Sequence, residues 1–231
     1  MGKLAFLFPG QGAQVVGMGK DFFDTYDLAK KRFAEADEAL GYSIRKLCFE
    51  GPADQLQLTE HTQPAILTVA VIAAELLRAE GVEPEIAAGH SLGEYAALVA
   101  AGVLSFQDAV LLVHKRGAYM QEAVPVGEGA MAAVIGLDDE VIIEVCAAAR
   151  TVGAVQAVNF NCPGQTVIAG TAKGVEKAVE MLQEKGAKKA VILPVSAPFH
   201  STLMEPAAKK LAAELDKVEL HDAVFPVVSN Y

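Results

Sequence analysis

The chain has 231 residues, 52% of them hydrophobic, which is enough apolar material for one large core or for a large core with a small second one. Its formal net charge of −10 argues against binding to nucleic acid or to an anionic membrane surface, while leaving room for one local basic pocket. Three cysteines without C-x-x-C spacing predict neither a disulfide framework nor a metal site, so a reducing cytoplasm fits best.

The first predicted element is a buried strand from Lys3 to Phe8, which runs into the loop Pro9-Gly10-Gln11-Gly12-Ala13-Gln14. A loop at the carboxyl end of a first strand lies where open α/β sheets bind their ligands, and Gln11 is the candidate residue in it. The glycines match neither the phosphate-loop spacing nor the dinucleotide-binding spacing, which argues against nucleotide binding.

Two helices are predicted next. Apolar residues at helical spacing indicate one helix from Asp21 to Leu40, with Gly41 as its stop. A second helix is predicted to begin at Pro64, a favoured first helical position, and to run to Gly81. This second helix is apolar nearly all round and should therefore be buried. No apolar run in the chain is expected to be long enough to span a bilayer.

A G-x-S-x-G motif, Gly89-His90-Ser91-Leu92-Gly93, follows a short buried strand at residues 84–88 and precedes a helix at residues 92–101 that stops at a glycine. This order of strand, tight turn and helix would expose Ser91 at the tip of the turn. The N–H groups that start the helix favour negative charge, so Ser91 is a candidate nucleophile with part of an oxyanion site beside it. The alternative is an ordinary glycine-serine turn that joins a strand to a helix.

Ser105 and Asp108 are typical of a helix N-cap, and the helix is predicted to run to about Gln121. Within it Arg116 interrupts an apolar stripe formed by Ala109, Val113 and Met120. An arginine on a buried face needs an anion, because its charge cannot be neutralised by deprotonation. Alternatively, Arg116 lies at the edge of the stripe and pairs with a carboxylate of the protein.

From Gly129 the pattern predicts a complete βαββαβ unit, the ferredoxin-like arrangement, inserted between two parts of a larger sheet. Its elements are strand 130–137, helix 138–150, strand 154–162, strand 165–171, helix 172–185 and strand 188–196. The expected domains are an α/β catalytic domain of residues 1–128 and 197–231 and a small domain of residues 129–196. A helix from about Met204 to Leu215 and a buried strand that starts near Val224 follow.

One of the five histidines is a candidate base for Ser91. His200 lies in a loop where the chain re-enters the large domain, and a serine-histidine pair needs no proximity in sequence. Of the other four, His90 lies in the turn itself, and His61 and His221 lie in polar connections. His114 lies on a helix face other than that of Arg116. Alternatively, His200 makes only local hydrogen bonds.

Four segments resemble, in family order and over the whole chain, the malonyl-CoA:acyl-carrier-protein transacylases. They are Phe8-Pro9-Gly10-Gln11-Gly12, Gly89-His90-Ser91-Leu92-Gly93-Glu94, Lys115-Arg116-Gly117 and Pro198-Phe199-His200. The resemblance implies an α/β-hydrolase-like large domain with a parallel sheet and an inserted ferredoxin-like small domain.

By the same resemblance, Ser91 is the acylated nucleophile and His200 its general base and acid. The backbone N–H groups of Gln11 and Leu92 form the oxyanion site, and Arg116 binds the free carboxylate of the malonyl group. A planar guanidinium can hold a carboxylate through two parallel hydrogen bonds, which would explain an arginine on an apolar helix face.

The reaction implied by the family moves malonyl from malonyl-CoA through an ester of Ser91 to the phosphopantetheine thiol of acyl carrier protein, in fatty-acid or polyketide biosynthesis. Coenzyme A thioester enters as substrate, and no permanently bound cofactor or metal is expected. The Phe199 ring would crowd a methyl-branched acyl group and so select for malonyl. In the family the chain continues past Tyr231 and supplies a glutamine that orients the catalytic histidine, so this sequence resembles a C-terminally truncated member.

Two alternatives belong to other functional classes. A serine thioesterase or esterase would need an acidic residue to orient His200 and would leave Arg116 without a designed anion. A docking module for a carrier protein would keep the fold but have an inactive site.

Overall fold

The computed structural model describes residues 3–125, 127–195 and 197–230, which form two compact units. The first unit runs to Ala118 and resumes at Leu211, and the second runs from Tyr119 to Lys210. The domain limits expected at 128/129 and 196/197 stay a prediction, and Ser196 lies outside the described residues.

A parallel three-stranded sheet organises the first unit. Its strands are β1 (Ala5–Phe8), β2 (Ile86–Gly89) and β7 (Val227–Val228), in the order β1-β2-β7. The predicted parallel sheet is confirmed, although each strand is shorter than expected. Since the strands are parallel, their carboxyl ends meet at one edge, where open α/β sheets bind their ligands.

The helices of the first unit are α1 (Lys20–Thr25), α2 (Asp27–Leu40), α3 (Ile44–Glu50), α4 (Ala53–Leu56), α5 (Thr59–Ala79) and α6 (Gly93–Ala100). Helices α7 (Phe106–Ala123) and α10 (Glu205–Leu215) each contain a boundary between the units. A buried core, to which Phe33, Leu67 and Ile72 belong, lies among these helices and the sheet.

The single helix predicted from Asp21 to Leu40 is wrong, because the chain is extended at Tyr26 and divides the segment into α1 and α2. The Thr25 hydroxyl donates to the Asp21 carbonyl at 2.8 Å, and such side-chain bonds compete with the helical ladder. Asp27 then begins the next helix, where an acidic residue is favourable. Gly41, in the left-handed conformation, ends α2 as predicted.

Helix α5 begins at Thr59 and passes through Pro64, so the predicted start at Pro64 is wrong. Proline lacks an N–H group and leaves the carbonyl of Glu60 without its helical donor. The ring Nδ1 of His114 lies 2.9 Å from that carbonyl and can supply the missing hydrogen bond. This compensation lets α5 extend further, and it places His61 on the helix rather than in a polar connection.

In the described parts of the chain, α5 is the one helix long and apolar enough to cross a membrane by length and composition. It packs in the core of the first unit, with Leu67, Val71 and Ile72 almost fully buried. Burial as a core helix accounts for its apolar character.

The second unit has the predicted βαββαβ order. Its elements are β3 (Gly129–Ile135), α8 (Asp139–Ala149), β4 (Val155–Cys162), β5 (Gln165–Thr171), α9 (Ala172–Glu184) and β6 (Lys189–Ile192). The sheet is antiparallel in the order β4-β5-β3-β6. The last strand ends at Ile192 rather than Ser196, and Pro194, which cannot donate to a ladder, lies just beyond.

Candidate active site

Ser91 lies at the tip of the turn between β2 and α6, with a backbone φ of 52°. A Cβ atom at Gly89 would overlap the backbone of Gly93, and one at Gly93 would overlap the carbonyl of Phe8. Both glycines of the G-x-S-x-G motif are therefore needed for β1, the turn and α6 to pack this closely. The left-handed conformation of Ser91 is costly for a residue with a side chain, and such strain concentrates at functional sites.

Backbone hydrogen bonds hold the turn against β1. The N–H group of His90 donates to Phe8 at 3.0 Å, and that of Gly93 donates to His90 at 2.9 Å. A Cβ atom at Gly10 would lie 2.5 Å from the carbonyl oxygen of His90, so the loop after β1 also lies directly against the turn.

Gln11 is the next residue in this loop, and its amide nitrogen donates to the Thr59 hydroxyl at 3.3 Å. Leu92 has helical dihedral angles and precedes the first residue of α6. Neither the Gln11 nor the Leu92 backbone N–H group donates to another described residue. The structure thus brings two available N–H donors to the neighbourhood of Ser91.

Arg116 reaches Ser91 from α7. Its Nη2 donates to the Ser91 hydroxyl oxygen at 3.1 Å, and its Nη1 donates to the side-chain oxygen of Gln63 at 2.9 Å. The guanidinium carbon lies 5.7 Å from the centre of the Tyr95 ring, within the range of a cation–π contact. Burial lowers the pKa of Arg116 from its ordinary value.

No carboxylate of residues 3–125, 127–195 or 197–230 forms an ion pair with Arg116. The alternative that Arg116 pairs with a carboxylate of the protein is therefore not what the structure shows. The adjacent Lys115 differs, because its ammonium group lies 2.6 Å from Glu214. Hydrogen bonds from Lys115 and Lys217 lower the pKa of Glu214 to about 2. Among the described residues, Lys115 is thus paired with a carboxylate, whereas Arg116 donates its hydrogen bonds to the neutral side chains of Gln63 and Ser91.

Sequence reasoning missed Gln63 and Thr59, both almost fully buried in the first turns of α5. The available signal was a group of polar residues at the start of an otherwise apolar helix. Placing the helix start at Pro64 assigned these residues to a connection and hid that signal.

Asn230 was also missed, and it contacts both sides of the turn. Its Oδ1 accepts from the Ser91 N–H group at 2.7 Å, and its Nδ2 donates to the Gly89 carbonyl at 2.6 Å. Its own N–H group donates to the Glu94 carboxylate at 3.1 Å. Asn230 is 139 residues from Ser91, so no local pattern could have revealed the contact.

His200 and Phe199 lie in the second unit, after β6. Ser201 donates from its hydroxyl to the Pro198 carbonyl at 2.7 Å, which stabilises the turn that carries His200 at a φ of 63°. Ser91 and His200 are the two non-glycine residues with positive φ in the described chain. The Phe199 ring is buried in an apolar cluster that includes Met131.

The described residues differ in what they offer to metal binding and to thiol chemistry. They contain no group of three or more histidine, cysteine or acidic side chains that could hold a metal ion. Burial raises the pKa of the Cys48 thiol to about 12 and that of Cys146 to about 11, so both are protonated at neutral pH. Cys162 is exposed.

Several known proteins are similar to this chain in sequence. A sequence model of the family described as "Acyl transferase domain" matches residues 5–229. The "Malonyl CoA-acyl carrier protein transacylase" of Bacillus subtilis (strain 168) is 54% identical over 231 residues, covering all of this chain and 73% of that protein. The protein of the same description from Escherichia coli (strain K12) is 52% identical over 231 residues, covering all of this chain and 75% of its own length.

Two solved structures have nearly the same fold. The malonyl CoA-acyl carrier protein transacylase from Coxiella burnetii superposes with a TM-score of 0.97 at 46% identity, over 99% of this chain and 72% of that one. A malonyl-transacylase in complex with a type II PKS acyl-carrier protein gives a TM-score of 0.96 at 46% identity, over 99% and 74% of the two chains.

Proposed function

The chain belongs to the malonyl-CoA:acyl-carrier-protein transacylases of the acyl transferase domain family, and we propose that Ser91 and Arg116 carry its reaction. It is an [acyl-carrier-protein] S-malonyltransferase, whose partners are malonyl-CoA and acyl carrier protein. The observation that supports these roles best is a guanidinium without a carboxylate partner among the described residues, 3.1 Å from the hydroxyl oxygen of a strained serine.

In the first half-reaction, the Ser91 hydroxyl oxygen attacks the thioester carbonyl carbon of malonyl-CoA. The new C–O bond forms, the C–S bond breaks, and malonyl remains as an ester on Ser91. We assign His200 as the base that takes the serine proton and then gives it to the departing sulfur of coenzyme A.

The backbone N–H groups of Gln11 and Leu92 are the proposed donors to the oxyanion that develops on the carbonyl oxygen. Two features support this role: both groups lack an acceptor within the described chain, and Leu92 precedes the N-terminus of α6. The dipole of that helix favours negative charge at this end.

Arg116 is the proposed partner of the free malonyl carboxylate. Three bonds separate the ester oxygen from the carboxylate carbon, a span of about 4 Å for ordinary bond lengths. Arg116 Nη2 lies 3.1 Å from the same serine oxygen, so a carboxylate on Ser91 falls within its reach. Binding exchanges a hydroxyl acceptor for an ionised one, and hydrogen bonds between charged groups are the stronger kind.

In the second half-reaction, the phosphopantetheine thiol of the carrier protein loses its proton to His200 and attacks the ester carbonyl carbon. The C–O bond to Ser91 breaks, and His200 returns the proton to the serine oxygen. Phe199 is the proposed selectivity residue, because a rigid ring would crowd a methyl branch at a cost of about 1 to 3 kcal/mol.

The thioester is already an activated acyl donor, so we propose that no resident cofactor takes part. We also place the enzyme in the cytoplasm, which is supported by three free cysteines. The acceptor would be a carrier protein of fatty-acid or polyketide biosynthesis.

Intact-protein mass spectrometry after incubation with malonyl-CoA tests the proposal. We expect a stable malonyl adduct on Ser91 that disappears when acyl carrier protein is added, with malonyl appearing on the carrier. Steady release of malonate without carrier would instead indicate a thioesterase, which the relatives do not support. The absence of both adduct and malonate would indicate a docking module.

A further inference from the structure

Beyond Val228, the last paired residue of β7, the side chain of Asn230 continues the hydrogen bonding between this strand and the end of β2. Ala87 pairs with Val227 and Ala88 with Val228, so continuing this register places Asn230 opposite His90. In a parallel sheet, the residue opposite His90 would donate to the carbonyl before His90 and accept from the N–H group after it. The side-chain amide of Asn230 makes both of these bonds, to the Gly89 carbonyl at 2.6 Å and from the Ser91 N–H group at 2.7 Å.

The backbone of Asn230 has meanwhile turned away from the ladder. Its N–H group donates to the Glu94 carboxylate on α6 at 3.1 Å. The residue is therefore bonded to β2, to the turn and to the helix that follows. Its two amide bonds also fix the orientation of the amide, because one partner is a donor and the other an acceptor.

These bonds restrain the peptide groups on either side of His90. The N–H group of Ser91 belongs to the peptide plane that defines φ at Ser91, the angle held at 52°. Because the left-handed conformation is unfavourable for serine, something must hold it there. Held in this way, the Ser91 hydroxyl lies 3.1 Å from Arg116, and its N–H group is occupied while that of Leu92 is not.

We propose that Asn230 is a positioning residue for the nucleophile: its amide replaces a peptide of the sheet, clamps Gly89 and Ser91, and sets the direction of the Ser91 hydroxyl. The role rests on the proposed function of Ser91. The clamp requires a donor and an acceptor on one short side chain, and asparagine is the amino acid of this size that provides both.

The test is single-turnover acylation by malonyl-CoA, normalised to the folded fraction measured by thermal unfolding. N230L keeps the size of the side chain but removes both bonds, and we expect its maximal acylation rate to fall roughly thirtyfold. The malonyl-CoA concentration for half-maximal rate should stay the same, because Arg116 is untouched. Transfer from acetyl-CoA should fall by the same factor, since the nucleophile is common to both substrates. S229A, at the exposed neighbouring position, is the matched control and should behave as the native protein.

N230D adds a readout that a general structural role would not produce. The ionised Asp carboxylate can accept from the Ser91 N–H group but has no proton to donate to the Gly89 carbonyl. The protonated acid can make both hydrogen bonds. The ratio of the N230D rate to the native rate should therefore rise as the pH falls below about 5 towards the ordinary aspartate pKa of about 3.9, while the N230L ratio stays flat. The titratable and charged groups around this clamp are Glu94 and Tyr95 on α6, His90 in the turn and Arg116 on α7, and they are common to all variants.

A near-native acylation rate in N230L would overturn the proposal, as would a loss confined to substrate affinity. A pH-independent N230D ratio equal to that of N230L would refute the two-bond clamp. Failure of the proposed function would give a different result from failure of the Asn230 clamp: S91A would still acquire malonyl, or the native protein would acquire none.

Discussion

Replacing Arg116 by alanine should separate malonyl transfer from acetyl transfer. The arginine donates one hydrogen bond to Gln63 and one to Ser91, and three of its five N–H groups remain for a ligand. In the proposed function, a malonyl carboxylate would gain charge-assisted bonds from these N–H groups and would displace the serine hydroxyl. Acetyl has no such group and gains nothing.

The magnitude follows from these contacts. Two bonds between charged groups, at about 2.5 kcal/mol each, less about 2 kcal/mol for the bond from the guanidinium to the uncharged Ser91 hydroxyl that they replace, give about 3 kcal/mol, or roughly a hundredfold in kcat/KM for malonyl-CoA. The bonds to the uncharged Ser91 and Gln63 acceptors that R116A loses affect both substrates alike and should change acetyl transfer less than about tenfold. Removal of an unpaired buried charge from beside the acetyl methyl group works in the opposite direction.

The assay compares kcat/KM for transfer from malonyl-CoA and acetyl-CoA to the same carrier protein. K115A is the matched control, because Lys115 is adjacent on α7 but pairs with Glu214, and it should not change the ratio of the two substrates. The kcat/KM of R116K for malonyl-CoA should lie between those of the native protein and R116A, since lysine keeps the charge but lacks the planar guanidinium. Equal losses for both substrates in R116A would refute the assignment and make Arg116 a structural residue.

The other predictions concern the turn, the arginine's neutral partner and the thiols. S91G should form no malonyl adduct yet melt about 2 to 4 °C higher, because glycine adopts the left-handed conformation without strain; a lower melting point would contradict this. G93A should lose about 3 kcal/mol or more of unfolding free energy by denaturant titration, whereas G41A, at an open left-handed position, should lose about 1 kcal/mol; equal losses would refute the packing argument. Q63E should lower malonyl transfer but not acetyl transfer, because it neutralises Arg116, and an unchanged substrate ratio would count against that. Maleimide should label one thiol of the native protein, Cys162, and three after unfolding; labelling of three in the native state would contradict the burial of the others.

Local patterns predicted the parts of the fold that local physics determines. The strand, turn and helix around Ser91 follow from glycine spacing, and the βαββαβ unit follows from alternating hydrophobic periods and turn residues. The errors also have local causes. The helical spacing of apolar residues continued through Tyr26, although the backbone is extended there. Pro64 was interpreted as a helix start, because the hydrogen-bond donor that compensates for it, His114, lies on another helix.

The support of the candidate site could not be predicted, because its contacts are distant in sequence. Gln63 and Arg116 are 53 residues apart, and Asn230 and Ser91 are 139 apart. A polar residue on an apolar helix or at a strand end is compatible with many partners, and only the packing of α5 and α7 and the register of β2 and β7 select among them. Arg116 was detectable because a buried cation violates a rule that applies at any position.

The neutral partners of Arg116 would explain how the proposed site combines stability with selectivity. A carboxylate in place of Gln63 would offset the desolvation of the guanidinium better, but it would also leave no net charge to attract an anionic substrate. An amide oxygen, a hydroxyl and an aromatic ring satisfy its geometry, and no carboxylate among the described residues forms a close ion pair with it. Under the proposed function, part of the free energy that a structural ion pair would contribute to folding would instead be available for binding the malonyl carboxylate. Because one of those neutral partners is the Ser91 hydroxyl itself, the arginine proposed to recognise the substrate also contacts the oxygen proposed to receive it, which would bring recognition and acylation to one point of the structure.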